Sequence, residues 1–370
     1  MVALGSELSK WLTNPLVASR PIVVLLVATA TVFGIRAGVD PVADVNLPIL
    51  YGLARWDSYY YLRIATSGYG GFQHSYSFRP IFPLVIRLLY PRFPWLDTGS
   101  AEVLAGLLWN VVALGIAAIY LERLTKLLFG PGIASRALLL LAVYPSTLFF
   151  TVIYSEATAI LFIAASLYYL ETQRILLAGS LGFLAGLARP EAFLVAIPFL
   201  VKTLFEDRKI RKLAAGLAVL ASVPAFALYA YSQAGDLFAT FQSELTGPKC
   251  SILCFFNNPV YLFVTHVLPY SINFVAMFLA VVFVAYPLVK GRVSSRVFPY
   301  YLWAFILLAV TFYSGEVRSY ARFALVVPPV FWAQAEYSLN HPRFFQGLVV
   351  VYSVMMTLST ILFVNWYPML

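Results

Sequence analysis

The chain has 370 residues, of which 61% are hydrophobic and only 11% are charged, with a formal net charge of +9 at pH 7. An ordinary soluble domain has about 25% charged residues, so no water-soluble core could cover this much apolar surface. The composition excludes a soluble enzyme and predicts an all-α polytopic integral membrane protein, because helices satisfy their own backbone hydrogen bonds in lipid.

Apolar segments long enough to cross a bilayer recur along the chain, with short polar joints between them. The predicted spans are 16–36, 101–121, 137–153, 156–172, 213–232, 267–289, 298–313, 323–339 and 344–364. Two less regular regions, 37–100 and 175–201, lie between them. The pattern predicts one transmembrane domain over 1–370, a bundle of about 10–11 transmembrane helices.

The first outer loop, 37–100, contains an amphipathic stretch around Trp56–Ile64 and an apolar stretch, Pro80–Leu89, that prolines interrupt. Both are interpreted as interfacial helices with aromatic rings at headgroup depth. An aspartate held there, Asp57, can accept a proton from a sugar hydroxyl. The alternative is that Asp57 pairs with Arg55 or caps its own helix.

The second chemical signal is Tyr154-Ser155-Glu156, which places a carboxylate at the outer end of a predicted span. The alternative role for Glu156 is to interact favourably with the dipole of the next helix.

The region 175–201 is split by Arg189-Pro190-Glu191, and we expect a hairpin of two short helices whose tip enters from the outer side. Arginine near membrane depth needs an anionic partner, either a lipid phosphate or the local Glu191.

The remaining signals lie in the C-terminal half. The predicted outer loop 233–266 contains the two cysteines, Cys250 and Cys254. Their spacing permits a disulfide and equally permits two buried thiols. Further on, Arg318 and Arg322 lie between two late spans, where a lipid phosphate or the nearby Glu316 would pair with them.

The distribution of Lys and Arg residues gives an independent check of how the predicted spans cross the membrane. With the N-terminus inside, more than half of the 25 Lys and Arg residues, Arg20 among them, fall in inner segments, as the positive-inside rule requires. The chain has no Walker-type glycine loop and no cysteine–histidine spacing typical of zinc sites. ATP-driven transport, structural zinc and nucleic-acid binding are therefore not expected.

The order of these motifs resembles the PIG-V-like mannosyltransferases of the GT-C superfamily. The matching pieces are Arg55-Trp56-Asp57, Phe82-Pro83-Leu84, Tyr144-Pro145, Tyr154-Ser155-Glu156-Ala157, Ala188-Arg189-Pro190 and Ser319-x-x-Arg322. The resemblance implies a GT-C-like helical bundle that transfers a sugar, with mannose favoured, from a polyprenyl- or dolichyl-phosphate carrier to a lipid-linked or glycan acceptor on the non-cytoplasmic side.

The same resemblance implies residue roles. Asp57 would be the general base of an inverting displacement, and Glu156 a second carboxylate that positions the acceptor or the sugar. Substrate and carrier-phosphate contacts would come from Arg55, Trp56, Arg79, Tyr154, Arg189, Arg318 and Arg322. No metal or other cofactor is expected. The host membrane would be a prokaryotic plasma membrane or the endoplasmic reticulum. The alternative function is a polyprenyl-phosphate or lipid transporter without chemistry, which should show inverted repeats that this chain lacks.

Overall fold

The computed structural model describes residues 13–37, 48–70, 74–205, 209–236, 238–240, 270–314 and 319–367. Every regular element within these ranges is a helix. Among these described residues, five helical stretches are long and apolar enough to cross a membrane, and three shorter apolar helices accompany them. The prediction of an all-α polytopic membrane protein is confirmed.

The N-terminal third places several short helices between two long helical stretches. These helices are α1 (Pro15–Ala18), α2 (Arg20–Phe33), α3 (Pro48–Leu53), α4 (Ser58–Ser67), α5 (Ile81–Leu89) and α6 (Thr98–Phe129), with 3-10 turns at Ser75–Ser77 and Tyr90–Arg92. Helix α5 has 9 residues, and at about 1.5 Å per residue it cannot cross a hydrocarbon core of about 30 Å. The first loop therefore contains short helices, as predicted, and no full span at 80–89.

The middle of the chain contains the central helices of the bundle. They are α7 (Pro131–Val143), α8 (Glu156–Glu171), α9 (Ile175–Ala188), α10 (Ala196–Phe205), α11 (Lys209–Leu220) and α12 (Ser222–Ala234), with 3-10 turns at Thr147–Phe150 and Pro190–Val195. The region 175–201 contains two short helices, α9 and α10, with the 3-10 turn Pro190–Val195 between them. The prediction that they form a hairpin whose tip enters from the outer side stays a prediction.

One predicted span in this part is wrong in detail, and another has a break within it. The span 137–153 stops at Val143, because Pro145 disfavours helical backbone at the residue before it. The predicted span 213–232 lies within Lys209–Ala234, one of the stretches long and apolar enough to cross a membrane. Two helices, α11 and α12, form this stretch and meet at Ala221. Pro224 has no N–H to donate to the preceding turn, which breaks the helix there.

The C-terminal part consists of α13 (Ser271–Val289), α14 (Phe298–Ser314), α15 (Tyr320–Leu325), α16 (Pro328–Leu339) and α17 (Pro342–Val364). The predicted span 323–339 is divided, since Pro328 and Pro329 end α15 and begin α16. Most of the loop 233–266, including Cys250 and Cys254, lies outside the described residues, so its prediction stays untested.

Helix α8 lies at the centre of the bundle, and most of its side chains are buried. It packs against α6 on one side and α9 on the other. Helix α9 in turn approaches α11 closely: a Cβ atom on Gly179 would lie 2.9 Å from the Cβ atom of Ala215. Small residues of this kind allow helices to pack closely where no hydrophobic effect drives association. This packing holds the N-terminus of α8, and with it Glu156, inside the protein.

Candidate active site

Three segments distant in the sequence meet at the N-terminus of α8. The backbone N–H of Ile153 donates to the carbonyl oxygen of Leu53 over 3.1 Å. That bond joins the segment before Asp57 to the segment before Glu156. From the C-terminal part, α15 brings Arg322 between the two carboxylates.

Arg322 bridges the two predicted catalytic carboxylates. Its Nη1 lies 3.0 Å from Oδ2 of Asp57, and its Nε lies 2.9 Å from Oε1 of Glu156. The guanidinium carbon also lies 4.7 Å from the ring centroids of both Phe149 and Tyr154. Burial alone would lower the pKa of Arg322, but the carboxylates of Glu156 and Asp57 raise it well above its usual value.

Arg189 forms the other half of this cluster. Its guanidinium pairs with the carboxylates of Glu156 and of Glu191. The side chain of Glu156 is fully buried, and its Oε2 has no hydrogen-bond partner among the described residues. The cluster thus contains three carboxylates and two guanidinium groups, a formal charge of −1.

Asp57 is the most exposed carboxylate of this cluster, with 36% of its side chain exposed against 11% for Glu191. It occupies the N-cap position of α4, but its side chain makes no capping hydrogen bond. Its backbone N–H donates to the hydroxyl of Tyr154 over 3.0 Å, and that hydroxyl donates to the carbonyl of Arg55. Asp57 is therefore held by its backbone while its carboxylate faces Arg322 and the exterior.

The residue before Asp57 has an unusual backbone conformation. Trp56 has a φ of 56°, in the left-handed region that large side chains rarely adopt. Its indole N–H donates to the carbonyl of Phe363 over 3.1 Å, and its ring lies 4.9 Å from that of Trp366. Contacts with the end of α17 thus stabilise the strained conformation that aims Asp57 at the cluster.

Tyr61 closes the cluster from the side of α4. Its hydroxyl is hydrogen-bonded to that of Ser155 over 2.9 Å. Burial, and after it the charge of Glu156, raises the pKa of Tyr61 above its usual value. The phenol is therefore neutral and serves as a hydrogen-bonding group rather than a proton acceptor.

The other predicted arginines lie around this centre. Arg55 is fully buried, 3.9 Å from the ring centroid of Tyr51, and burial, followed by repulsion from Arg36, lowers its pKa to about 10. Arg79 is buried with its guanidinium 4.5 Å from the ring centroid of Phe226. Arg318 lies outside the described residues.

A largely apolar groove of about 350 Å³ opens beside Arg79. Its walls come from α4, α5, α9 and α12 and include Ile64, Tyr69, Pro83, Leu187, Phe226 and Tyr229. One layer of side chains separates it from the cluster: the hydroxyl of Tyr69 donates to the carbonyl of Phe78, and the Phe78 ring lies 5.0 Å from that of Tyr61.

The structure also shows which partners these residues have within the protein. The carboxylate of Asp57 pairs with Arg322 and makes no capping hydrogen bond to α4. Glu156 both begins α8, where it favours the helix dipole, and joins the ion-pair cluster. Arg189 pairs with Glu191, the local partner considered for it, and additionally with Glu156.

Sequence reasoning missed Phe149 and Ser155 as contributors to the cluster. Ser155 occurs in a motif that the sequence analysis singled out, and Phe149 lies a few residues before that motif. Their contacts with Tyr61 and Arg322 connect residues far apart in the sequence. No grouping of three or more His, Cys, Asp or Glu side chains suited to a metal ion occurs among the described residues.

Known proteins similar to this chain are mannosyltransferases. Residues 29–206 match the family described as Mannosyltransferase (PIG-V). GPI alpha-1,6-mannosyltransferase 2 of Cricetulus griseus is 33% identical over 158 residues, which cover 41% of this chain and 32% of that protein. The Mus musculus protein of the same name is 34% identical over 158 residues with the same coverage. The match thus spans about a third of the length of these relatives. Asp57, Glu156 and Arg189 lie within the family match, whereas Arg322 lies beyond it.

Solved structures similar to this one are those of an oligosaccharyltransferase from Archaeoglobus fulgidus. Its complex with Zn and sulfate has a TM-score of 0.46 and 13% sequence identity, over 94% of this chain and 53% of that chain. Its complex with an inhibitory peptide and a dolichol-phosphate has a TM-score of 0.44 and 12% identity, over 93% and 55% of the two chains.

Proposed function

We propose that this chain is a membrane glycosyltransferase, since residues 29–206 match the family described as Mannosyltransferase (PIG-V). It moves a sugar, with mannose favoured, from a polyprenyl- or dolichyl-phosphate carrier to a lipid-linked or glycan acceptor. The observation that supports this most strongly is the partly exposed Asp57 carboxylate beside the buried Arg322–Glu156–Arg189 cluster.

The proposed reaction is a single displacement that inverts the anomeric centre. The acceptor hydroxyl oxygen attacks the anomeric carbon, and its proton passes to the carboxylate of Asp57. The bond between the anomeric carbon and the phosphate oxygen breaks, and the bonding pair leaves with the carrier phosphate. Glu156 has no exposed surface, so its part is to fix Arg322 and Arg189 rather than to contact the acceptor.

The donor phosphate would be recognised by arginine. Arg189 and Arg322 each pair with two carboxylates, but Arg322 contacts Asp57, whose side chain is 36% exposed, whereas the partners of Arg189 are at most 11% exposed. We therefore assign Arg322 to the phosphate ahead of Arg189, with Arg79 at the groove as a second contact. The apolar walls of the groove fit the hydrocarbon part of a lipid-linked donor.

Arginine also neutralises the leaving phosphate without a divalent ion. We therefore propose metal-independent transfer, and expect the rate to be unchanged by EDTA. A loss of transfer on chelation that added Mg²⁺ or Mn²⁺ restores would contradict this.

The function is tested with purified protein, radiolabelled polyprenyl-phosphate mannose and a lipid extract. We expect a labelled mannosylated lipid that forms only when the protein is present. A protein that translocates the polyprenyl phosphate between the leaflets of vesicles but forms no new glycosidic bond would contradict the proposal and support a transporter.

A further inference from the structure

A buried arginine outside the ion-pair cluster connects the first long helix to the candidate site. We infer that Arg20 is a positioning residue: it fixes the 3-10 turn Thr147–Phe150, which in turn holds Arg322 against Asp57 and Glu156. The inference rests on the proposed function for its kinetic consequence, but its structural part is independent of that function.

Arg20 lies in α2 and is only 8% exposed. Its Nη1 donates to the carbonyl of Thr147 over 2.7 Å and to Oγ1 of Thr151 over 3.3 Å. Its Nη2 donates to Oγ1 of Thr147 over 3.1 Å, to the carbonyl of Ala142 over 3.1 Å and to the hydroxyl of Ser19 over 2.8 Å. One guanidinium group therefore joins the last turn of α7 to both ends of the 3-10 turn.

All of these acceptors are neutral oxygens, and no carboxylate pairs with Arg20 among the described residues. A buried cation without a counter-ion is costly, so stability alone does not account for an arginine here. The carbonyl of Ala142 is one of the α7 carbonyls that lack a partner within the helix, and a cation interacts favourably with that end of the helix dipole. The site thus suits a guanidinium group that organises backbone carbonyls.

The turn that Arg20 holds touches Arg322 in two ways. Ser146, directly before the turn, donates its hydroxyl to the carbonyl of Ala321 over 2.8 Å. Phe149, within the turn, places its ring 4.7 Å from the guanidinium carbon of Arg322. A displaced turn would therefore shift both the backbone beside Arg322 and the aromatic face against which its guanidinium packs.

The geometry also explains why arginine is needed at this position. Two nitrogens of the planar guanidinium group reach oxygens of four residues, Ser19, Ala142, Thr147 and Thr151. A lysine ammonium is a compact point charge, and its three donors share one nitrogen. We expect Arg20→Lys to hold the turn poorly and Arg20→Met, which keeps the length without the donors, to release it. A misplacement of about 1 Å far from the reacting atoms can lower a rate about 100-fold.

The matched control is Arg136→Met. Arg136 is also an arginine of the helical bundle, lies near the start of α7 and donates to the hydroxyl and the carbonyl of Ser338. It does not contact the 3-10 turn and has no place in the candidate site. Both variants therefore remove a cation that binds a backbone carbonyl, but only one of them releases the turn.

Hydrogen–deuterium exchange of the segment 144–155 tests the structural part without any assay of transfer. Faster exchange in Arg20→Met, with exchange as in the wild type in Arg136→Met, is expected. Unchanged exchange in Arg20→Met would overturn the inference whether or not the wild type transfers a sugar.

Kinetics on the same preparations test the positioning part. We expect kcat per folded molecule of Arg20→Met to fall about 10- to 100-fold. The donor KM should rise as well, because Arg322 is assigned to the donor phosphate. The effects of Arg20→Met and Phe149→Leu should be non-additive, because both act through Arg322, whereas Arg136→Met and Phe149→Leu should be additive. The positioning role of Arg20 would be overturned by faster hydrogen–deuterium exchange with a normal kcat in Arg20→Met. Additive effects of Arg20→Met and Phe149→Leu would overturn it too. An inactive wild type would count against the proposed function instead.

Discussion

Arg322 pairs with two carboxylates that differ in solvent exposure. This difference separates the contribution of Arg322 to stability from its contribution to catalysis. Glu156 is fully buried and needs a cation for stability, whereas Asp57 is partly exposed and can be solvated by water. Stability is therefore expected to depend mainly on the contact with Glu156, and catalysis on the contact with Asp57.

Replacement of Arg322 by methionine is expected to destabilise the protein. It leaves three carboxylates with one guanidinium, a formal charge of −2, and breaking a buried ion pair typically costs about 3–5 kcal/mol. The second replacement Glu156→Gln restores the original charge of −1. Thermal unfolding in detergent should therefore occur at a higher temperature in the double variant than in Arg322→Met alone. An equal or lower unfolding temperature in the double variant would show that charge balance does not stabilise the cluster.

The individual residues of the site were predictable to the extent that their chemistry is local. A carboxylate beside Trp56 and another after Ser155 stand out in the sequence as charges at the ends of apolar segments. The partners of these carboxylates were not predictable, because Arg322 follows Glu156 by 166 positions. The sequence suggested two local pairs, Asp57 with Arg55 and Arg189 with Glu191. The structure contains the second pair, whereas Asp57 pairs with Arg322.

At the scale of secondary structure, the close contact between α9 and its neighbours determines where Arg189 lies. A Cβ atom on Gly182 would lie 2.5 Å from Cγ2 of Val219 and 3.1 Å from Oγ of Ser166. The side chain of Val219 is β-branched and stiff at χ1 in a helix, and Ser166 would lose its hydrogen bond to the carbonyl of Ala178 if it rotated. Since α9 ends at Ala188, directly before Arg189, a shift of α9 displaces that arginine.

The substitution Gly182→Ala is therefore expected to lower both stability and transfer. Overpacking of a close helix contact costs about 1–3 kcal/mol. Gly347→Ala in α17 is the matched control, because a Cβ there meets nothing within 4 Å among the described residues. Unfolding temperature in detergent is the measurement, and equal stability of the two variants would refute close packing at Gly182.

The helices were predictable where apolar length is the signal, and less so where proline divides an apolar segment. Pro145, Pro224 and Pro328 each fall within a predicted span and each mark a break in the structure. Hydrophobic length cannot reveal such breaks, since both sides of the proline remain apolar and buried. Of the short helices, α4 was recognisable as an amphipathic stretch and α5 as an apolar stretch that prolines interrupt, whereas α3 was not predicted.

For the whole molecule, the central expectation is the side of the membrane on which the cluster lies. Charge bias places the N-terminus inside and the loop with Asp57 outside. Arg20, which this count assigns to the inner side, lies within the helical bundle and has a packing reason for its position. The predicted orientation in the membrane therefore depends on the other Lys and Arg residues of the inner segments.

Thiol labelling of intact cells tests the threading. In a background with Cys250→Ser and Cys254→Ser, single cysteines are placed at Ser67, exposed at the end of α4, and at Thr172, exposed after α8. An impermeant reagent should label the cysteine at 67 from outside and the one at 172 only after permeabilisation. Labelling of both from outside, or the reverse pattern, would refute the proposed orientation.

The most direct test of the proposed mechanism is sugar transfer by Asp57→Asn. This variant keeps the size and hydrogen-bonding shape of the side chain but removes the proton acceptor, so transfer per folded molecule should fall about 10²- to 10⁴-fold with the unfolding temperature nearly unchanged. The matched control is Asp97→Asn, at the N-cap of α6, where the side chain accepts a hydrogen bond from the backbone N–H of Ser100, and its transfer should be normal. Near-normal transfer by Asp57→Asn, or a loss that is fully explained by lower stability, would contradict the assignment of Asp57 as the general base.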